Sequence, residues 1–86
     1  MEIVEDKLYQ EKIDSYRINW KRLDDALITL YPALMGSPEL FPQVPGTKLR
    51  RLKLVGFRQV PPLSIFFTLE KDKITLKTAE LIDIES

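Results

Sequence analysis

The sequence predicts an α+β fold in which two N-terminal helices pack on one face of a three- to four-stranded antiparallel β-sheet. Three observations predict it. An apolar stripe at spacings of three and four runs through Trp20, Leu23, Leu27, Leu30, Tyr31 and Leu34, the signature of an amphipathic helix. After residue 48 the period changes to two in "KLRRLKL", "LSIFFTLE" and "KITLKTAELID", as in strands with one buried face. Between the two regimes lies "GSPELFPQVPG", whose three prolines and two glycines suit an ordered connection across the surface.

The elements follow in order. "EIVE" reads as a short edge strand, and Asp6 is placed to cap a first helix carrying Tyr9, Ile13 and Tyr16 on one side. A competing reading takes "DSYRINW" as a strand through Tyr16, Ile18 and Trp20; the helical spacing is preferred. Asn19 stands where it could cap the second helix. Pro32 falls inside that helix and is expected to kink it or loosen its end before Gly36 stops it. In the link, Leu40, Phe41 and Val44 are expected to reach the core.

The first long strand is apolar at Leu49, Leu52 and Leu54 and basic between them, with a break at Arg51 that suggests a bulge or a strand starting there. The next strand places Ile65, Phe67 and Leu69 on one side and Phe66 on the other. "EKDK" makes a hairpin turn into a strand alternating through Ile74, Leu76 and Thr78.

The totals exclude several kinds of chemistry. A chain of 86 residues holds one domain, residues 1–86, because a core of this size hides only about 60% of the unfolded surface. It has no cysteine and no histidine, so disulfides, thiolate metal sites and histidine acid–base catalysis are all unavailable to it. Asp24 and Asp25 form a carboxylate pair with no third ligand at a suitable spacing, so no metal or other cofactor is expected. The acidic start "MEIVED" lacks the basic region of a signal peptide, and no apolar run approaches the roughly 20 residues of a membrane span. A cytoplasmic protein is expected.

Thirteen basic residues balance thirteen acidic ones, but they are unevenly placed. From Thr47 to Pro62 there are five basic residues, Lys48, Arg50, Arg51, Lys53 and Arg58, and no acid; Glu2, Glu5 and Asp6 leave the N-terminus acidic. Basic residues at alternate strand positions share a face, where they can bind phosphates or stabilise charge developing in phosphodiester cleavage. They can equally form the solvated side of a half-buried sheet. Phe57, Phe66 and Phe67 could stack on bases or belong to the core. Pro61 and Pro62 stiffen the approach to the central strand.

Taken together, the segment "WKRLDDALITLYPAL", the Pro-rich link, "PGTKLRRLKL" and "IFFTLEKDKITL" resemble the RelE/ParE toxin superfamily of bacterial type II toxin–antitoxin modules over nearly the whole chain. RelE-like members cleave mRNA on the ribosome with basic residues of the sheet and a C-terminal tyrosine, whereas ParE-like members act on DNA gyrase. The resemblance matches Arg51 and Lys53 to the basic second-strand positions and likens Arg58 in "GFR" to an arginine leading into the third strand. Arg51, Lys53 and Arg58 are then the candidate catalytic residues, and with Lys48 and Arg50 the candidate partner- or nucleic-acid-binding set. Where RNA-cleaving members carry an arginine and then a tyrosine after the last strand, this chain reads "AELIDIES". The resemblance therefore implies a toxin-like protein that binds a cognate antitoxin and lacks part of the RelE cleavage set. Its alternatives are a non-toxic protein-binding member of the same fold and a small nucleic-acid-binding module.

Overall fold

In a computed structural model describing residues 2–82, the chain runs β1 (Glu2–Glu5), α1 (Lys7–Asn19), α2 (Leu23–Gly36), a short 3₁₀ turn (Pro38–Leu40), β2 (Arg50–Leu54), β3 (Leu63–Glu70) and β4 (Lys73–Leu81). The expected continuation of the last strand to Asp83 lies outside the described residues. The sheet order is β1-β4-β3-β2. β2, β3 and β4 form the expected antiparallel meander, but β1 pairs parallel to β4, with Ile3 beside Ile74. The sheet is therefore mixed. Both helices and the β2–β3 pair lie between β1 and β4 in sequence, and a connection of that length allows the parallel pairing that a tight hairpin forbids.

One hydrophobic cluster lies between the helices and one face of the sheet. Tyr9 and Ile13 of α1 and Leu23, Leu27, Leu30 and Leu34 of α2 meet Leu52, Leu54, Leu63, Ile65, Phe67, Ile74, Leu76 and Ala79, all buried. No helix among the described residues is long and apolar enough to cross a membrane.

The helix boundary differs from the expectation. Asn19 is the last residue of α1 and caps nothing, and Trp20 stands in the turn, where it meets Tyr16 edge-to-face at 6.3 Å. Tyr9, Ile13, Tyr16, Trp20, Leu23, Leu27 and Leu30 continue one another at spacings of four and three, so the period alone does not reveal the break. Asp6 does precede α1, but its carboxylate meets Lys77 Nζ at 2.9 Å instead of capping the helix amides. α2 passes Pro32 and runs on to Gly36. The carbonyl that Pro32 leaves without a donor belongs to Ile28, an exposed residue, so water can serve it.

In the link, Phe41 packs against the core and meets Phe67 edge-to-face at 6.0 Å. Leu40, expected to join it, is exposed. Gly46, at φ +78°, turns the chain back toward β2, and Thr47 fastens the turn through bonds to Val44 and Leu49.

β4 contains one irregularity. Phe66 pairs with Thr78 and Phe67 with Leu76, leaving Lys77 as an unpaired bulge residue. The bulge reverses the phase of the strand. Thr78 consequently leaves the core face, where the alternation through Ile74 and Leu76 places it, and Ala79 takes the buried position.

Candidate functional site

The charged strand β2 divides its side chains between the two faces of the sheet. Arg50 shares a side with Leu52 and Leu54, whereas Arg51 and Lys53 project from the face that the helices leave open. In register, Arg51 stands opposite Phe66 and Lys53 opposite Ser64; further across, Thr78 pairs with Phe66 and Glu80 with Ser64. The open face thus carries Arg51, Lys53, Ser64, Phe66, Thr78 and Glu80 as one patch.

Within this patch Arg51 is half-buried, and its Nε donates to Ser64 Oγ at 2.8 Å. That bond fixes the base of the guanidinium and directs its remaining donors outward. Beside it, Pro42, Val44 and Pro45 of the link form a wall, and a cleft of about 380 Å³ opens between that wall, Arg51 and Phe66. Phe66 is half-buried and offers part of its ring to the cleft. A cation next to an aromatic face, with rigid apolar walls, suits a planar or extended ligand of negative charge.

Glu80 has its charge compensated. Thr78 Oγ1 donates to one of its oxygens at 2.7 Å and Lys12 Nζ to the other at 3.3 Å. The Thr78 hydroxyl, assisted by the Lys12 ammonium and opposed by partial burial, holds its carboxyl below the usual carboxylate range. Such a group is a weak base at neutral pH.

The other sequence candidates are placed elsewhere. Arg50 donates to the carbonyls of Glu39 at 3.1 Å and Phe41 at 2.8 Å, tying the link to the sheet. Lys48 is exposed in the loop before β2. Arg58 leaves the sheet in the loop after β2, where Gly56 at φ +83° and Gln59 at φ +62° turn the chain, and it lines a separate pocket with Arg22, Asp25 and Phe57 at the start of α2. Of the five basic candidates, only Arg51 and Lys53 come together on the open face. Phe67 is core and Phe57 lies on the α2 side, so Phe66 is the one phenylalanine of the three that reaches this patch.

Sequence reasoning did not find Ser64, Thr78 and Glu80. The signal for Ser64 was its place between apolar residues on the same side as Phe66, whereas the bulge hid the other two. Asp24 and Asp25 are surface charges in the first turn of α2, and Asp24 accepts from Arg17 Nε at 2.8 Å. No group of three or more His, Cys, Asp or Glu side chains gathers as a metal site among the described residues.

A second cavity, of about 210 Å³, lies between α1 and α2 and is lined by Glu5, Tyr9, Gln10, Asp14, Arg17 and Tyr31. Tyr31 donates to Glu5 Oε2 at 3.0 Å. The buried Tyr9 hydroxyl stands beside Tyr31 but finds no aligned hydrogen-bond partner among the described residues. No protein-family model matches the chain, and no curated protein matches it significantly.

Proposed function

We propose that this protein is a toxin-like member of the RelE/ParE type that acts by binding, with a cognate antitoxin as its partner and the basic side of the sheet as its binding surface. The observation that carries this reading is the composition of the open face. Arg51 and Phe66 line a cleft, with Lys53 two positions along β2 on the same face, yet the chain has no histidine, and its three tyrosines, Tyr9, Tyr16 and Tyr31, are all on the helices. General acid–base cleavage of a phosphodiester needs a group that can exchange a proton at the reacting atoms. Glu80, the carboxylate in register with Ser64 and Lys53, is already engaged by Thr78 and Lys12. The cationic groups are equipped to hold a polyanion or an acidic protein segment, and among the described residues of the patch no unengaged group stands ready to carry the proton for cleavage.

Induced expression in bacterial cells tests the reading. Growth arrest that is relieved by co-expressing the protein encoded beside it is the expected result; normal growth with soluble protein accumulating would overturn it. A nucleic-acid-binding module is the second reading, favoured by the pairing of Arg51 with Phe66 on one face. Its mark is single-stranded RNA binding that weakens steeply with salt and again on replacing Arg51 and Lys53. Affinity indifferent to salt removes it.

A further inference from the structure

The outer edge of β2 is only partly covered. Arg51 N–H donates to the carbonyl of Pro42 at 2.9 Å, and Val44 N–H donates to the carbonyl of Leu49 at 2.8 Å, so the Pro-rich link pairs with the beginning of the strand. Backbone groups point to alternate sides along a strand, and the N–H and C=O of Lys53 therefore face the same way as the N–H of Arg51. There the link has already turned away. The backbone of Lys53 has no outward partner among the described residues. An unpaired strand edge is a template for another extended chain.

The surroundings of the edge state what kind of chain fits. On its helix side runs a largely apolar groove of about 240 Å³ lined by Leu30 and Ala33 of α2, Phe41, Leu52, Leu54 and Phe57, together with Lys53. On its other side stand Arg51 and Lys53, with Lys48 exposed just before the strand. Residues 40–69 contain no aspartate or glutamate at all, so β2 and the two segments that flank it contribute only basic charge to this edge. An added strand would place alternate side chains in the apolar groove and the rest beside the basic residues.

We propose that the β2 edge at Lys53, beyond the point where the link leaves the strand, accepts an extended, acidic segment of a partner protein as a fifth strand, its apolar side chains entering the groove against Phe41 and Phe57. This rests on the partner-binding reading above and specifies where and how the partner docks. A second copy of this chain is the poorer occupant, because pairing β2 with β2 sets Arg51 and Lys53 against their own counterparts, and like charges facing across strands repel.

The test uses the whole chain and a phage-displayed library of random linear dodecapeptides, followed by synthesis of the enriched sequences. Expected are net-acidic peptides with alternating apolar residues, whose binding slows exchange of the Lys53 amide and weakens about tenfold or more on Lys53→Pro, as loss of a main-chain hydrogen bond requires. That substitution removes an amide hydrogen that no described residue accepts. Should it unfold the chain, N-methylation of alternate peptide amides makes the same test against the unaltered protein. Binders that perturb Phe66 and leave Lys53 unchanged overturn strand addition and keep partner binding. No enrichment overturns both, and a concentration-dependent dimer that protects the Lys53 amide assigns the edge to a second copy. Growth arrest on expression bears on the toxin-like reading alone.

Discussion

Arg51 donates from Nε to the Ser64 hydroxyl diagonally across the β2–β3 pair at 2.8 Å, on the face of the sheet that the helices do not cover. Ser64 is buried, although it lies on that open side. The contact therefore positions the guanidinium and satisfies a hydroxyl that water does not reach freely. Ser64→Ala is expected to cost about 1 kcal/mol, the ordinary net value of such a bond. It should also weaken partner or RNA binding less than Arg51→Ala does, because the charge remains and only its placement is lost. Urea unfolding and binding titrations on the same samples check both; equal binding losses in the two variants would mean that Arg51 acts only through its position.

Neighbouring arginines on one strand are expected to differ in kind. Arg50 holds two carbonyls of the link, so Arg50→Ala should lose about 1.5–3 kcal/mol, the range for a hydrogen bond to a charged group. Lys53→Ala, at an exposed side chain with no bonded partner among the described residues, should change stability by no more than about 0.5 kcal/mol. Denaturant midpoints distinguish them. If the two variants are equally stable, Arg50 is not a structural residue.

How far the fold could be read in advance follows from which residues carry an unambiguous period. "LSIFFTLE" placed Ile65 and Phe67 inward and Phe66 outward, as β3 has them, because steric alternation in a strand has no competing reading. The division into two helices was legible but its place was not: the second helix was expected to start after Asn19 and starts at Leu23, because the stripe of α1 runs into that of α2 with no glycine or proline to mark the reversal. Nor was the parallel pairing of β1, since four residues of strand say nothing about the direction of a distant neighbour. For the site, alternation separated Arg50 from Arg51 in principle. Arg50's bonds to Glu39 and Phe41 depend on where the Pro-rich link folds back, which no local pattern encodes.

Tyr9 yields an alkaline signature. Burial first, and the neighbouring Tyr31 hydroxyl second, push its phenol well above the ordinary value. The folded-state pKa is raised, so the stability linked to the neutral phenol is complete below the unfolded value of about 10 and is lost as pH rises past it. Tyr9→Phe should make the decline above about pH 10 shallower. At neutral pH it should hold stability or raise it by up to about 1 kcal/mol, since it deletes a buried hydroxyl without an aligned partner. A loss beyond about 2 kcal/mol at neutral pH would show that the hydroxyl is satisfied after all.

The bulge at Lys77 makes β4 unevenly tolerant of deletion. Leu76 and Ala79 both face the core because Lys77 is the extra residue between paired positions. Removing Lys77 restores a regular ladder with Leu76 still inward, Thr78 outward and Ala79 inward, at the cost of local twist and the exposed contact to Asp6 at 2.9 Å. Removing Thr75 instead shifts Leu76 onto the face opposite Ile74, so one of two buried side chains must enter water. The Lys77 deletion is expected to unfold cooperatively with a loss of about 1–3 kcal/mol, and the Thr75 deletion to lose cooperative unfolding altogether. Circular dichroism during urea titration separates the cases. Equal damage from both deletions would mean that the irregularity at Lys77 shapes the seat of α1 on β4, and that strand phase alone does not govern this half of the sheet.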